Sequence, residues 1–271
     1  MGNRFYDLAT KQIIWEIPTV KGDRLKTPTI WDARKAGDKW GASVTTITGI
    51  LDKGEGIENW LVGIHLDACE GLHEVLAKDP AGFKAAVRHK AKKIREAPMA
   101  RGKAVHQAYE DYWRYQLDND YTVRSVPKEI RPYVIALDLF AEEHKMKPLL
   151  LEQVLTNKEV GYAGTMDFYG EFEGEKMVTD YKTQNVKERP FYDIKFPLQL
   201  AAYAHASAEV TKDAIPTKCV SIIVDTSRHT TYNCSDNLPI ISYNVYDDIQ
   251  YDYETFKLLA QVYFRVNKWQ R

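Results

Sequence analysis

Two strand-patterned runs joined by a very short turn constrain this chain more than any other feature. Tyr162 to Phe172 and Lys176 to Thr183 have the texture of β-strands, and Glu173-Gly174-Glu175 between them supplies the glycine a tight hairpin needs. The second run, Met177-Val178-Thr179-Asp180-Tyr181-Lys182-Thr183, holds a puzzle. Strand side chains alternate between faces, so Asp180 and Lys182 point the same way as Val178. Charges on a buried face are costly unless paired or bound to a metal. Either this strand edges into solvent or the two charges form a site.

The first run carries a second acid in Gly164-Thr165-Met166-Asp167, and the short turn brings Asp167 near Asp180. Two carboxylates on adjacent strands, with a lysine, make a hard-oxygen site suited to Mg²⁺ or Mn²⁺. A solvent-facing cross-strand charge pattern accounts for the lysine but gives no reason for two neighbouring acids.

Around this hairpin the chain divides by texture. Residues 1–40 read as short strands and loops, and Ser43 stands where a helix N-cap would. Apolar spacing predicts helices over 56–78, 80–96, 98–117 and 127–146. After Pro148 come strands at Leu149 to Thr156 and the two hairpin arms. A helix opening at Pro197 follows, then strands near 218–226 and 229–234 and a last helix over 247–268. The plan is α+β or mixed α/β, with a helical part over 1–147 and a strand-rich core over 148–271 in one integrated domain.

Composition removes several classes. The chain has 271 residues with 37 Lys plus Arg against 38 Asp plus Glu, so a nucleic-acid surface must come from local segregation of charge. Cys69, Cys219 and Cys234 are scattered without CxxC spacing, which supports neither an iron–sulfur cluster nor a zinc site nor a disulfide framework. No apolar run is long enough to span a membrane and no secretory leader opens the chain. Tyr6 occupies the position at which a myristoylation signal carries Ser or Thr. A soluble protein of a reducing cytoplasm is expected.

Segregated charge is present. Lys84, Arg88, His89, Lys90, Lys92, Lys93 and Arg95 crowd one helical stretch, followed by Arg101 and Lys103. Phosphate backbones attract such clusters, and counterion release supplies affinity; a solvated helix face is the plain alternative. Tyr109, Tyr112, Trp113 and Tyr115 nearby suit base stacking or, for most of them, the core.

The order of several motifs is specific. GYAGTMD (161–167), VTDYKT (178–183) and PLQLAAY (197–203), with Arg101-Gly102-Lys103-Ala104-Val105-His106 and Glu110 upstream, resemble the motif series of the PD-(D/E)XK nuclease superfamily in its RecB-like branch. Within that branch the chain looks most like phage exonucleases and the mitochondrial genome maintenance exonuclease, down to the SVTTI stretch at 43–47. The resemblance implies a restriction-endonuclease-like core and a Mg²⁺- or Mn²⁺-dependent deoxyribonuclease. It implies Asp167 and Asp180 as metal carboxylates, the Tyr181 carbonyl as a further ligand, and Lys182 beside the attacking water or the phosphate. His106 becomes a metal ligand, where alone it would read as a core histidine.

Glu110 lies one turn on from His106 and would hold it or a metal-bound water, unless it is a plain surface glutamate. Glu152 shares a strand face with Leu150 and Val154 and matches an acid of the family; a salt bridge to a lysine is its alternative role. Gln199 and Tyr203, four apart on a helix, would line the site, though alone they would read as packing. Some RecB-like nucleases carry four cysteines for an iron–sulfur cluster, and this chain has only three. The resemblance implies an exonuclease acting on single-stranded DNA with free ends, in a bacterial or phage-infected cytoplasm. An endonuclease or a double-strand recombination exonuclease is the rival within the class, and an inactive nucleic-acid-binding protein the rival outside it.

Overall fold

A computed structural model of the protein describes residues 4–51, 55–118, 126–227 and 238–270. The chain begins with short strands β1 (Phe5–Asp7), β2 (Ile13–Ile14), β3 (Ile17–Pro18) and β4 (Leu25–Lys26). Helix α1 (Ile30–Ala36), strand β5 (Trp40–Ser43) and helix α2 (Val44–Thr48) come next. Three helices follow, α3 (Glu55–Cys69), α4 (His73–Lys78) and α5 (Pro80–Leu117), and then α6 (Arg131–Glu143). The strands β6 (Lys147–Asn157), β7 (Tyr162–Phe172) and β8 (Glu175–Gln184) lead into α7 (Lys195–Thr211). Strands β9 (Cys219–Asp225) and β10 (Ile241–Tyr246) and helix α8 (Ile249–Val266) complete the described chain.

The residues form two compact units, one of Met1–Ile50 with Ala108–Arg271 and one of Leu51–Gln107. The larger is built on an eight-stranded sheet in the order β10-β9-β8-β7-β5-β1-β2, with β6 also paired to β7. β8–β9 and β5–β7 are parallel and the other pairs antiparallel, so the sheet is mixed, as the sequence implies. Parallel β8 and β9 need a crossover, and α7 provides it. β9 is a fully buried run rich in Val and Ile, and Met177 to Tyr181 of β8 are buried without a break, the signature of strands covered on both faces.

One detail of this sheet creates the site. β6 and β8 both pair with Phe168 to Glu171, so they flank β7 on opposite edges, and β6 and β5 both pair with Tyr162 and Ala163. β5 and β8 therefore share one edge of β7 at its two ends. Gly164 to Asp167 face the opening between them. The hairpin turn itself is Glu173-Gly174, with φ of 52° and 86°, a residue shorter than the sequence suggested. Both left-handed positions suit the two-residue turn whose twist matches the strands. Glu173 is fixed there by its N–H donating to the His144 carbonyl at 2.8 Å and its carboxylate pairing with His144 Nδ1 at 2.8 Å.

The smaller unit packs Ile64, Ala68 and Ala91 together, with Val87 and Ile94 against them. Two expectations are corrected in it. The helix read over 56–78 is interrupted, because Gly71 takes a φ of 70° and lets the chain turn between α3 and α4. The helices read over 80–96 and 98–117 are one, α5, with Pro98 inside it. Proline removes a single helical N–H there, at an exposed position, and Ala97, Met99, Ala100 and Arg101 around it are strong helix formers. Ser43 caps α2 as read, accepting from the Thr46 N–H at 3.0 Å. Helix α1 was not anticipated, and the strand read near 229–234 lies outside the described residues.

Candidate active site

The opening on β7 is filled by side chains of β8 and α7. Asp180 is buried at 3% exposure and uses both carboxylate oxygens: Oδ2 pairs with the Lys182 ammonium, and Oδ1 accepts from Gln199 Nε2 at 2.8 Å. Asp180 and Lys182 share a face because they are two apart on β8, and α7 brings Gln199 over that face. Asp167 closes the opening from β7, its Oδ2 accepting the Tyr181 N–H at 3.1 Å. A side chain thus takes the hydrogen bond that β7 backbone supplies further along the hairpin.

Tyr203 follows Gln199 by one turn and lies against Gly164, where a Cβ would stand 2.6 Å from Tyr203 Cε1. Glycine at 164 is what lets the ring reach the strand. Burial first, and then the Asp180 carboxylate, push the Tyr203 phenol well above its ordinary range, so it stays a neutral hydroxyl. Lys182 feels opposing influences: burial pulls its pKa down, but the Asp180 and Asp167 carboxylates outweigh this and raise it. It is therefore an ammonium throughout the physiological range. Phe196 lies under it, the Nζ 5.7 Å from the ring centre.

Glu152 is the unexpected member. It lies in the middle of β6, between the pairs Leu151–Phe168 and Gln153–Met166, which sets it opposite Asp167. Its φ is 47°, left-handed backbone that costs a non-glycine residue on the order of 1–2 kcal/mol. Burial, and then the charges of Asp167, Glu110 and Asp180, push its carboxyl up to about 8. Arg114 works the other way. Strain and electrostatic frustration at one residue are the marks of a functional position. The sequence pointed to the acid but carried no sign of the backbone.

Glu110 is held by Arg114 one turn on, whose Nε and guanidinium nitrogen both contact Oε1 at 2.8 Å. Arg114 was missed by the sequence reading, although its i,i+4 spacing from Glu110 was visible. Trp113 was classed only as an aromatic, yet its indole N–H donates to the Tyr181 hydroxyl at 2.9 Å and anchors that side chain in the core. Tyr109 and Trp113 are buried, as expected for most of the aromatic group; Tyr112 bonds Asp138 at 2.7 Å, and Tyr115 is exposed. His106 stands one turn before Glu110 in α5 and falls in the smaller unit.

Among the described residues no three His, Cys, Asp or Glu side chains are arranged to hold a metal ion as they stand. The donor chemistry nonetheless fits a hard divalent cation. Glu110, Glu152, Asp167 and Asp180 are coupled closely enough that one of them is driven toward the neutral form. That surplus of negative charge is what a dication relieves.

A consequence is measurable. Because the folded state raises the Glu152 pKa, its fold prefers the protonated carboxyl. Stability from this group is full below its ordinary 4.5 and is lost as pH rises to about 8. Thermal melts of metal-free protein should therefore show a decline across that window that Glu152→Gln removes. Adding Mg²⁺ at the alkaline end should raise the wild-type melting temperature more than that of the variant. Parallel pH profiles for the two proteins would rule this out.

In the smaller unit the basic residues fall on different faces of α5. Helical spacing puts Lys84, Arg88, Lys92 and Arg95 on one side, and all four are exposed. Lys93 is exposed on another side, and Lys90 donates to the Glu70 carbonyl at 2.7 Å. Lys92 makes a long contact of 3.7 Å with Glu96. Lys103 is exposed and Arg101 half-buried.

Residues 72–268 match the PD-(D/E)XK nuclease superfamily, well over half of the chain. The chain belongs to that superfamily, and its mixed sheet flanked by helices is the restriction-endonuclease-like fold. It is a nuclease by family, and such nucleases generally use divalent metal ions. Among solved structures it is similar to a phage-related exonuclease from Haemophilus somnus 129PT. The identity is 12% and the TM-score 0.32, over 59% of this chain and 80% of that one. It is also similar to the protein SSO0001, at 15% identity and a TM-score of 0.30, over 60% of this chain and 74% of that one. No curated protein matches. Among the described residues no helix is long and apolar enough to cross a membrane.

Proposed function

We propose that the protein is a metal-dependent DNA exonuclease that degrades single strands from free ends. The observation that carries this reading is the Lys182–Asp180–Gln199 cluster at the opening of β7, with Asp167 and Glu152 facing each other across the adjoining strands. Asp167, Asp180 and the Tyr181 carbonyl would hold Mg²⁺ or Mn²⁺, with Glu152 and Glu110 adding negative charge. Such an ion, when bound, polarises a phosphoryl oxygen and acidifies water. His106 is proposed as a further ligand on the strength of its motif.

The protein's own groups have distinct tasks. Lys182, an ammonium in the metal-free site, is placed to stabilise charge gathering on the phosphate. Gln199 positions Asp180 by holding one oxygen, and Tyr203 keeps the helix face against Gly164. Rigid strands fix these groups at the geometry the reaction needs. The exposed lysines and arginines of α5, Lys84, Arg88, Lys92 and Lys93, with Lys90, Arg101 and Lys103, are proposed to carry the DNA backbone. The helical part of residues 1–147 is proposed to take up a strand by its free end.

End-labelled linear DNA with and without Mg²⁺ tests the reading. Metal-dependent release of short products, absent in Asp180→Asn, is expected. Tight DNA binding with no hydrolysis under any divalent ion would instead favour the inactive binding protein. For the basic face, Lys84, Arg88 and Lys92 changed to Glu should flatten the salt dependence of binding by about one log–log unit per lost phosphate contact. Titrating DNA affinity against salt reads this directly, and an unchanged slope would return the face to plain solvation.

A further inference from the structure

Helix α8 is apolar on two opposite sides. Its inner side buries Tyr253, Phe256, Ala260 and Phe264. At 100° per residue, Tyr251, Leu258, Val262 and Val266 fall within about 80° of one another, directly opposite that buried side. These four are between 51% and 71% exposed. Thr255, its hydroxyl turned back to the Tyr251 carbonyl at 2.9 Å, is the polar break in this row. Scattered exposed apolar residues are ordinary, but a row aligned on one helix face marks a contact surface. The spacing of Leu258, Val262 and Val266, with Tyr251 two turns earlier, is that of helices that pack along their length.

The charges beside the seam say what covers it. Glu254 and Arg265 lie on the same flank, about 16 Å apart along the axis. Glu254 also meets Lys257 of its own helix at 2.8 Å and accepts from Gln250 at 3.0 Å, exposed contacts that are worth little. A two-fold axis perpendicular to the helix reverses its direction but leaves each flank facing its own copy. Glu254 of one helix then meets Arg265 of the other, twice, while Leu258 meets Val262 at the centre. In a parallel pair each flank would face the opposite flank and this match would be lost. The seam is thus complementary to itself, as an isologous interface must be.

We propose that α8 is a self-association helix, packing antiparallel on α8 of a second copy of this chain. The proposal stands independently of the nuclease reading.

Sedimentation equilibrium of the full chain across a concentration series tests it. The wild type should be a dimer, and Leu258→Glu with Val262→Glu should be a monomer with an unchanged far-UV circular dichroism spectrum. Glu254→Arg and Arg265→Glu should each weaken the dimer severalfold, because each places like charges together twice. Combining them should restore wild-type affinity. A wild type that stays monomeric at its solubility limit would overturn the proposal, as would a dimer indifferent to the seam substitutions. A double swap no better than either single change would overturn the antiparallel arrangement.

Discussion

Asp180→Asn and Lys182→Ala should each lower turnover by on the order of 10²–10³-fold or more, the scale at which a single preorganised electrostatic group acts in such sites. Asparagine keeps the shape of Asp180 and its contact with Gln199, so a loss in that variant reports charge and not packing. The two variants should part company in metal binding. Asp180→Asn removes a donor oxygen and weakens divalent-ion affinity, whereas Lys182→Ala removes a competing cation from the same carboxylate and should leave affinity intact or improve it. Lys182→Ala also strands a carboxylate that is 3% exposed, which costs up to about 3 kcal/mol when a buried pair is broken. Its melting temperature should therefore fall without metal and recover when Mg²⁺ takes the place of the ammonium. Calorimetric titration and single-turnover hydrolysis of a labelled strand measure both quantities. Near-wild-type turnover in either variant, with Mg²⁺ supplied, would remove these residues from the chemistry.

Much of this architecture was legible because it is written in local rules. The hairpin of β7 and β8, the cap at Ser43 and the acid–lysine alternation on β8 follow from periodicity and turn chemistry over a few residues. The features that escaped depend on context that spacing does not carry. Pro98 normally ends a helix, and only the strength of the flanking helix formers and its exposure let α5 run through it. Gly71 looked like a tolerated glycine inside a helical pattern, and its positive φ emerges only with the turn between α3 and α4. In the site, Asp167 and Asp180 stood out because adjacent strands are close in sequence. The left-handed backbone of Glu152 and its displaced pKa come from three strands and a helix converging, which no window of sequence contains. The divided edge of β7, where β5 and β8 leave Gly164 to Asp167 unpaired, is a topological fact of the same kind.

The second large effect expected is an all-or-none difference between open and closed DNA. Linear single-stranded DNA should be reduced to short products with Mg²⁺ or Mn²⁺, while a covalently closed circle of the same sequence survives identical conditions. The 38-residue α5 and the helices before it precede every strand that carries a carboxylate of the proposed site, and α5 holds exposed lysines and arginines. A helical segment that delivers a strand to the site by threading needs an end to thread. Bulky adducts on both ends should accordingly protect the linear strand. Single strands should be favoured over blunt duplex, since a cationic track takes a flexible backbone and unpaired bases gain stacking contacts such as exposed Tyr115 can offer. The comparison is made on a denaturing gel with Asp180→Asn run alongside. Circle and linear strand disappearing at the same rate, with both spared by the variant, would transfer the active site intact to an endonuclease. An adduct-blocked strand degraded as fast as a free one would separately remove the threading step while leaving the chemistry of Asp167, Asp180 and Lys182 in place.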